Sequence, residues 1–187
     1  RENGGYISDS LSILCDKNGR SVVANCEIDE GEELFKIPES VLMGSNETYV
    51  RERWEGSNIT NETVHVVTLL VEKEKPDSFY KPYIDFLPSR EEFDEHPVIQ
   101  RMNTDKCDFI VTPLWNICSE TVTFIKNEYS KVSSLNDETP LLENLVFEEF
   151  CWGYIVYLTR AWSEHGLVPF ADLLNHSEAA NSIEEDC

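Results

Sequence analysis

Positive charge is scarce in this sequence. Its 187 residues include 15 Lys and Arg against 36 Asp and Glu, so the formal net charge is −21. Nucleic acids and anionic membrane surfaces are bound through an excess of Lys and Arg, and the composition therefore argues against both partners. The hydrophobic content of 41% is enough for a folded core rather than an acidic disordered tail. We expect one acidic folded domain, with or without an insertion.

Long apolar runs and cysteines are also scarce. The apolar stretch at residues 66 to 71 is far shorter than the roughly 18 residues that a membrane-spanning helix needs. Six cysteines are too few for a disulfide scaffold, which favours a reducing compartment, the cytoplasm or the nucleus. The first residues contain neither an initiator Met nor a secretory pattern, so we expect a fragment without a leader.

The beginning of the chain has the pattern of short strands. Apolar residues alternate from Leu11, and the turn signal Asn18-Gly19 precedes a return strand at residues 21 to 26. A further alternating run at residues 33 to 37 ends at Pro38, which cannot donate to a strand ladder. These features predict a small meander of short strands.

The rest of the chain has mainly helical spacing. Asn61 is predicted to cap one helix, and Thr112 followed by Pro113 to begin another. Residues 80 to 88 are predicted to form a packed aromatic connector, and residues 133 to 140 a polar loop.

The last helix is predicted to begin near Leu145 or Phe147. One apolar stripe is formed by Phe147, Phe150, Cys151, Tyr154, Leu158, Ala161 and Trp162. The opposite face is apolar too, so we expect burial on more than one side.

Arg160 is conspicuous because it lies on the second face of this apolar helix. A guanidinium in apolar surroundings needs an anionic partner, which is either a carboxylate of the protein or one of a ligand. Asp172 and His176 are four residues apart, but no Cys-x-x-Cys or His-x-x-x-His pair completes a metal site. No metal is predicted, and no cysteine stands in a recognisable nucleophile context.

Four segments, in order, resemble the SET-domain protein methyltransferases of the group typified by the Rubisco large-subunit methyltransferase. They lie at residues 19–32, 81–88, 159–161 and 171–177, and the last, Ala-Asp-Leu-Leu-Asn-His-Ser, is the most specific. In that group a helical insertion splits the SET domain. The resemblance implies an α+β fold, a small β-strand SET core that a mainly helical insertion interrupts. It divides the chain into residues 1–44, the insertion at 45–146, and 147–187, the first segment of the C-terminal half.

The resemblance also implies S-adenosyl-L-methionine as the cofactor and a protein lysine as the methyl acceptor. The implied cofactor-binding residues are Asn18, Gly19, Arg20, Arg160, Asp172, Leu173, Asn175 and His176. By the same resemblance, the backbone around Asn18 and Arg20 contacts the methionine end, and Arg160 lies beside its carboxylate. Asn175 and His176 hold the adenine and the amino-acid portion.

Asp172 and Leu173 are implied to wall the channel in which the cofactor and the target nitrogen meet. The acidic surface favours a basic or Lys-rich protein as the substrate, although lysine and histidine both stay open as targets. The sequence does not indicate an oligomeric state.

Two features depart from the family pattern. Ser21 stands where a second glycine is usual, and none of the ten residues after Ser177 is the family's channel tyrosine. No catalytic residue is therefore assigned within this chain, and a C-terminally truncated fragment is expected. A non-catalytic SET-like cofactor-binding or interaction module is the alternative, and an acidic helical scaffold without a cofactor is a third hypothesis.

Overall fold

The chain folds as a helix-rich α+β protein with small antiparallel sheets. The computed structural model describes residues 4–16, 19–46, 48–103, 113–162 and 165–174. The strands are β1 Tyr6–Ile7, β2 Leu11–Asp16, β3 Gly19–Ala24, β4 Phe35–Lys36, β5 Ala161–Trp162 and β6 Gly166–Leu167. The α-helices are α1 Thr48–Arg53, α2 Asn61–Glu74, α3 Lys81–Ile84, α4 Pro97–Asn103, α5 Pro113–Glu138 and α6 Phe147–Arg160. Short 3-10 turns are Glu39–Val41, Met43–Asn46, Glu91–Phe93 and Ala171–Leu173.

The strands form three separate two-stranded sheets, in which β2 pairs with β3, β1 with β4, and β5 with β6. The predicted hairpin is confirmed, because Asp16 pairs with Gly19, whose φ of +117° suits glycine. The predicted meander is wrong, since β4 pairs with β1 instead of with the return strand. A hydrogen-bonded turn from Asp29 to Glu32 redirects the chain before β4 begins.

Helix α2 lies at the centre of the helical region. Its N-cap is Thr60, whose hydroxyl accepts a hydrogen bond from the Thr63 amide, so the prediction of Asn61 as the cap is wrong by one residue. The ten residues from 63 to 72 are all buried. Helix α6 packs closely against α2 at Gly153, where an added Cβ would lie 3.0 Å from Val66 Cγ1. A small residue at this crossing therefore lets the two helices approach.

Helix α5 begins at Pro113, as predicted, while Thr112 lies outside the described residues. It continues to Glu138, so the polar loop that was predicted from residue 133 is wrong over its first six residues. The helix is extended because Val132 is buried and the side chain of Asn136 accepts hydrogen bonds from the Leu141 and Leu142 amides. The Asn136 side chain thus holds the segment that follows α5, and this segment begins later than the polar residues from 133 onward suggest.

Helix α6 is buried on more than one side, as predicted. Phe150 lies on one face, and Trp152 and Ile155 lie on the other, all of them in the core. The predicted stripe fails at its end, because Leu158 is 52% exposed and the chain leaves the helix as β5 after Arg160.

The aromatic connector is packed, as predicted, and contains the short helix α3. Tyr80, Ile84 and Leu87 are buried, and Trp152 Nε1 of α6 donates a hydrogen bond of 2.9 Å to the Pro88 carbonyl. This contact holds the connector against α6 and near the end of the chain that the structure describes. Within the described residues, no helix is long and apolar enough to cross a membrane.

Candidate cofactor and substrate site

The candidate site lies where α6 ends. The pairing of β5 with β6 reverses the chain after Arg160, so the 3-10 turn Ala171–Leu173 returns beside the end of α6. Phe170, just before this turn, has φ of 77° and is the one non-glycine residue with positive φ among those described. A bulky residue pays roughly 1–2 kcal/mol for this conformation. Its ring packs edge-on against Phe35 at 5.6 Å, which helps to hold the turn.

Arg160 has a carboxylate of the protein as its anionic partner. Its Nη1 donates to Asp172 Oδ2 at 3.1 Å and to the Asp172 carbonyl at 3.3 Å. The Asp172 side chain is 1% exposed and that of Arg160 is 17% exposed. The sequence allowed either a carboxylate of the protein or one of a ligand as the partner of Arg160. In the structure the partner is a carboxylate of the protein, that of Asp172.

Tyr83 is the residue of this site that the sequence did not reveal. It belongs to α3, and its hydroxyl donates to Asp172 Oδ2 at 3.0 Å. The motif that contains it contributed to the resemblance, yet no role followed for the tyrosine. The available signal was a phenol within an apolar connector, because a buried tyrosine hydroxyl usually finds a hydrogen-bond partner.

The second oxygen of Asp172 has an unusual environment. Oδ1 is buried and accepts no hydrogen bond from any described residue. Burial raises the pKa of Asp172 above its ordinary value, against the opposing effects of Arg160 and of the hydrogen bond from Tyr83. Burial and the nearby Asp172 carboxylate also raise the pKa of Tyr83, so the phenol stays protonated and donates. Within the described part of the chain, the site therefore holds a buried acceptor without a donor.

The end of the β2–β3 hairpin approaches the same region through Arg20. Its Nη1 lies 3.0 Å from Glu92 Oε1, and its guanidinium lies 5.3 Å from the centre of the Phe86 ring. The Ser89 amide donates to Glu92 Oε2 at 2.8 Å. That hydrogen bond and Arg20 lower the pKa of Glu92, and Arg160 lowers it further. Glu92 is thus within electrostatic reach of both guanidinium groups, one from β3 and one from α6.

The described part of the chain brings four predicted site residues to one region. They are Arg20, Arg160, Asp172 and Leu173, since β3 lies against the 3-10 turn Ala171–Leu173 and both arginines act on Glu92. Gly19 is the first residue of β3. Asn18, Asn175 and His176 lie outside the described residues, and their predicted roles stay predictions. Among the described residues, no group of three or more His, Cys, Asp or Glu side chains is arranged to hold a metal ion.

Small antiparallel sheets are separated along the chain by helices, and the polar site lies where β3 and the end of α6 approach the 3-10 turn Ala171–Leu173. No family model matches the chain. It is 28% identical over 194 residues to SET domain-containing protein 4 of Artemia parthenogenetica, covering 89% of this chain and 45% of the relative. It is 25% identical over 172 residues to the chloroplastic ribulose-1,5-bisphosphate carboxylase/oxygenase large subunit N-methyltransferase of Nicotiana tabacum, covering 85% of this chain and 33% of the relative.

A solved structure has the same fold. The SET domain of LSMT bound to lysine and AdoHcy superposes with a TM-score of 0.70 at 19% identity, covering 97% of this chain and 42% of that one. The chain therefore spans less than half the length of these proteins. The chain has the fold of the SET domain of LSMT, and its sequence is similar to SET-domain proteins that include the Rubisco large-subunit methyltransferase.

Proposed function

We propose that the protein is an S-adenosyl-L-methionine-dependent methyltransferase that acts on a lysine side chain of another protein. The observation that carries the proposal is the ion pair of Arg160 with the buried Asp172, whose second carboxylate oxygen has no hydrogen-bond partner among the described residues. The LSMT structure, which holds AdoHcy and lysine on the same fold, supports this choice of ligands.

The charges of the site fit the methionine end of the cofactor, which carries a carboxylate and an ammonium. Both hydrogen bonds of Arg160 to Asp172 come from Nη1, so Nε and Nη2 can donate to a ligand carboxylate. Asp172 Oδ1, which has no partner among the described residues, can accept from an ammonium. A guanidinium and an open carboxylate oxygen are complementary to one zwitterion.

The proposed reaction needs alignment more than acid–base chemistry. When bound, the cofactor supplies a methyl group on a sulfonium that is already activated for transfer. The protein must exclude water and direct a neutral amine at that methyl group. Only roughly one lysine in a few thousand is neutral at pH 7, and a desolvated setting raises that fraction. The buried residues around the site, Val168, Ala171 and Leu173, supply apolar surroundings of this kind.

Arg160→Ala in the full-length protein tests the cofactor assignment. We expect S-adenosyl-L-methionine to bind at least about tenfold more weakly in calorimetry, because a charge-assisted hydrogen bond contributes about 1.5–3 kcal/mol. Arg90→Ala is the matched control, since Arg90 is half exposed and contacts Glu149 instead of the site. Equal affinities in the wild type and Arg160→Ala would refute the role of Arg160.

The substrate assignment needs a separate measurement. The net charge of −21 favours a basic or Lys-rich protein, and we expect transfer of labelled methyl groups to such proteins in preference to acidic ones. Mass spectrometry of the product distinguishes lysine from histidine. Cofactor binding without transfer to any protein would favour a non-catalytic cofactor-binding module.

The proposed location is the cytoplasm or the nucleus. Two of the cysteines that the structure describes, Cys15 and Cys26, are exposed free thiols. Exposed free thiols fit a reducing compartment. Imaging of the tagged full-length protein tests this proposal.

A further inference from the structure

We propose that Tyr83 is a positioning residue, whose hydroxyl holds the Asp172 carboxylate so that Oδ1 stays available to the ammonium group of a ligand. The inference rests on the proposed function and adds a residue from the segment that is predicted to be the helical insertion. The ammonium belongs either to the amino-acid part of the cofactor or to the target lysine as it first binds, before it loses the proton that methyl transfer requires it to lose.

The geometry at Asp172 carries this inference. Tyr83 OH and Arg160 Nη1 both donate to Oδ2, at 3.0 Å and 3.1 Å, and they come from two different helices. A rotation of the Asp172 carboxylate that moves Oδ2 away from its two donors breaks both hydrogen bonds at once. Oδ2 is therefore fixed by two donors, and Oδ1 keeps its capacity to accept.

The backbone of Tyr83 is fixed by its neighbours in the connector. Ile84 and Leu87 are buried, and the Pro88 carbonyl accepts from Trp152 of α6. Because α3 and α6 are joined in this way, the phenol approaches Asp172 from a rigid position. Arg160 alone is a weaker restraint, since its long side chain has several rotatable bonds and 17% exposure.

The charged and titratable groups around Asp172 come from four elements. Arg160 lies on α6, Tyr83 on α3, Arg20 on β3, and Glu92 on the 3-10 turn Glu91–Phe93. Tyr83→Phe removes one neutral donor from this set and leaves every charge in place. Since a hydrogen bond to the ionised carboxylate favours that form, its loss raises the pKa of Asp172.

The first measurement needs no ligand. Aspartate carboxyl carbons of the full-length protein are labelled with carbon-13, and the Asp172 signal is assigned by its absence in Asp172→Asn. We expect the titration midpoint of Asp172 to be higher in Tyr83→Phe than in the wild type. Tyr80→Phe is the matched control, because Tyr80 lies in the same connector and its hydroxyl donates to the Leu42 carbonyl at 2.8 Å. That control leaves the midpoint unchanged.

The second measurement follows ligand affinity against pH. The probes are S-adenosylhomocysteine and, at saturating S-adenosylhomocysteine, free lysine. We expect Tyr83→Phe to weaken one probe by roughly fivefold at neutral pH, as for the loss of one net hydrogen bond. As the pH falls and Asp172 is protonated, the variant loses its affinity for that probe at a higher pH than the wild type does. The probe that is affected shows which ammonium binds to Oδ1.

The outcomes separate the two proposals. An unchanged Asp172 midpoint in Tyr83→Phe, or equal shifts in both tyrosine variants, overturns the positioning role. A shifted midpoint with unchanged affinity for both probes overturns it as well. If the wild type binds neither probe, the proposed function fails, and the ligand-free titration still decides whether Tyr83 controls Asp172.

Discussion

Two buried carboxylates, one in the helical region and one at the candidate site, are satisfied in different ways. Glu128 of α5 has a side chain that is 2% exposed. Its Oε2 accepts from the Thr60 amide at 3.1 Å and from the Thr63 hydroxyl, and its Oε1 accepts from Lys131 Nζ at 2.6 Å. Both oxygens are therefore bonded, and the carboxylate ties the beginning of α2 to α5.

Asp172 is buried to the same extent but is satisfied on one side only. Tyr83 and Arg160 both donate to Oδ2, whereas Oδ1 has no partner among the described residues. A buried polar atom without a partner costs about 1–3 kcal/mol. Burial alone therefore does not distinguish a structural carboxylate from a candidate ligand-binding one. What separates the two sites is the acceptor that is left open.

The two pKa values shift in opposite directions. Burial acts to raise the pKa of Glu128, but hydrogen bonds from Lys131, Thr63 and Thr60 lower it overall. Burial also raises the pKa of Asp172, and there its effect exceeds the lowering effects of Arg160 and of the hydrogen bond from Tyr83. The stability that Glu128 contributes is present above its ordinary pKa and is lost as the pH falls through the lowered value. For Asp172 the contribution is present at acidic pH and is lost as the pH rises through the raised value.

Glu128→Ala is the strongest test of this contrast. We expect it to lower the free energy of unfolding by about 3 kcal/mol in urea denaturation, because it removes a buried, hydrogen-bonded carboxylate and leaves the part-buried Thr60 amide without its acceptor. The loss shrinks as the pH falls through the lowered pKa of Glu128. Glu120→Ala is the control, since it removes the same side chain from the exposed surface of the same helix. Equal losses in the two variants would contradict the structural role of Glu128.

Asp172→Asn is expected to have the opposite profile. The affinity for the probe whose ammonium binds to Oδ1, S-adenosylhomocysteine or lysine, falls by at least about tenfold, or about 1.4 kcal/mol. The free energy of unfolding changes by less than about 1 kcal/mol. The stability change is small because the substitution removes a desolvated charge and Arg160 still reaches solvent. Relative to the wild type, the variant gains stability as the pH rises through the raised pKa of Asp172.

Asp85→Asn is the control for this prediction, since Asp85 is exposed and is paired with Lys81 on α3. It should leave both quantities unchanged. A stability loss in Asp172→Asn as large as that in Glu128→Ala would remove the distinction between the two carboxylates.

The sequence predicts local structure better than pairing between distant segments. Gly19 and Pro113 act within a few residues of themselves, and the hairpin and the start of α5 follow from their chemistry. The partner of β4 was missed because β1 is close in space but lies almost thirty residues away along the chain. The end of α5 was missed because Asn136 bonds to a loop whose path is set by packing.

The candidate site was predictable in its charges but not in its contacts. Arg160 and Asp172 stand in recognisable motifs, and an apolar helix indicates that the arginine needs an anion. The hydroxyl of Tyr83 reaches Asp172 across 89 positions of sequence, which no local pattern encodes. The open oxygen of Asp172 is also a tertiary feature, because it depends on which donors are missing.

Glu92 extends the comparison to a carboxylate that is bonded but exposed. Its side chain is 45% exposed, and it joins Arg20 of the hairpin to the Ser89 amide. We expect Glu92→Gln to lower the free energy of unfolding by less than about 1 kcal/mol, because water and salt screen an exposed ion pair. The loss in Glu92→Gln should vanish at about 1 M salt, whereas the loss in Glu128→Ala should persist. Glu95→Gln is the control for the change of net charge. A salt-independent loss as large as that of Glu128→Ala would mean that bonding, rather than burial, determines how much a carboxylate stabilises this fold.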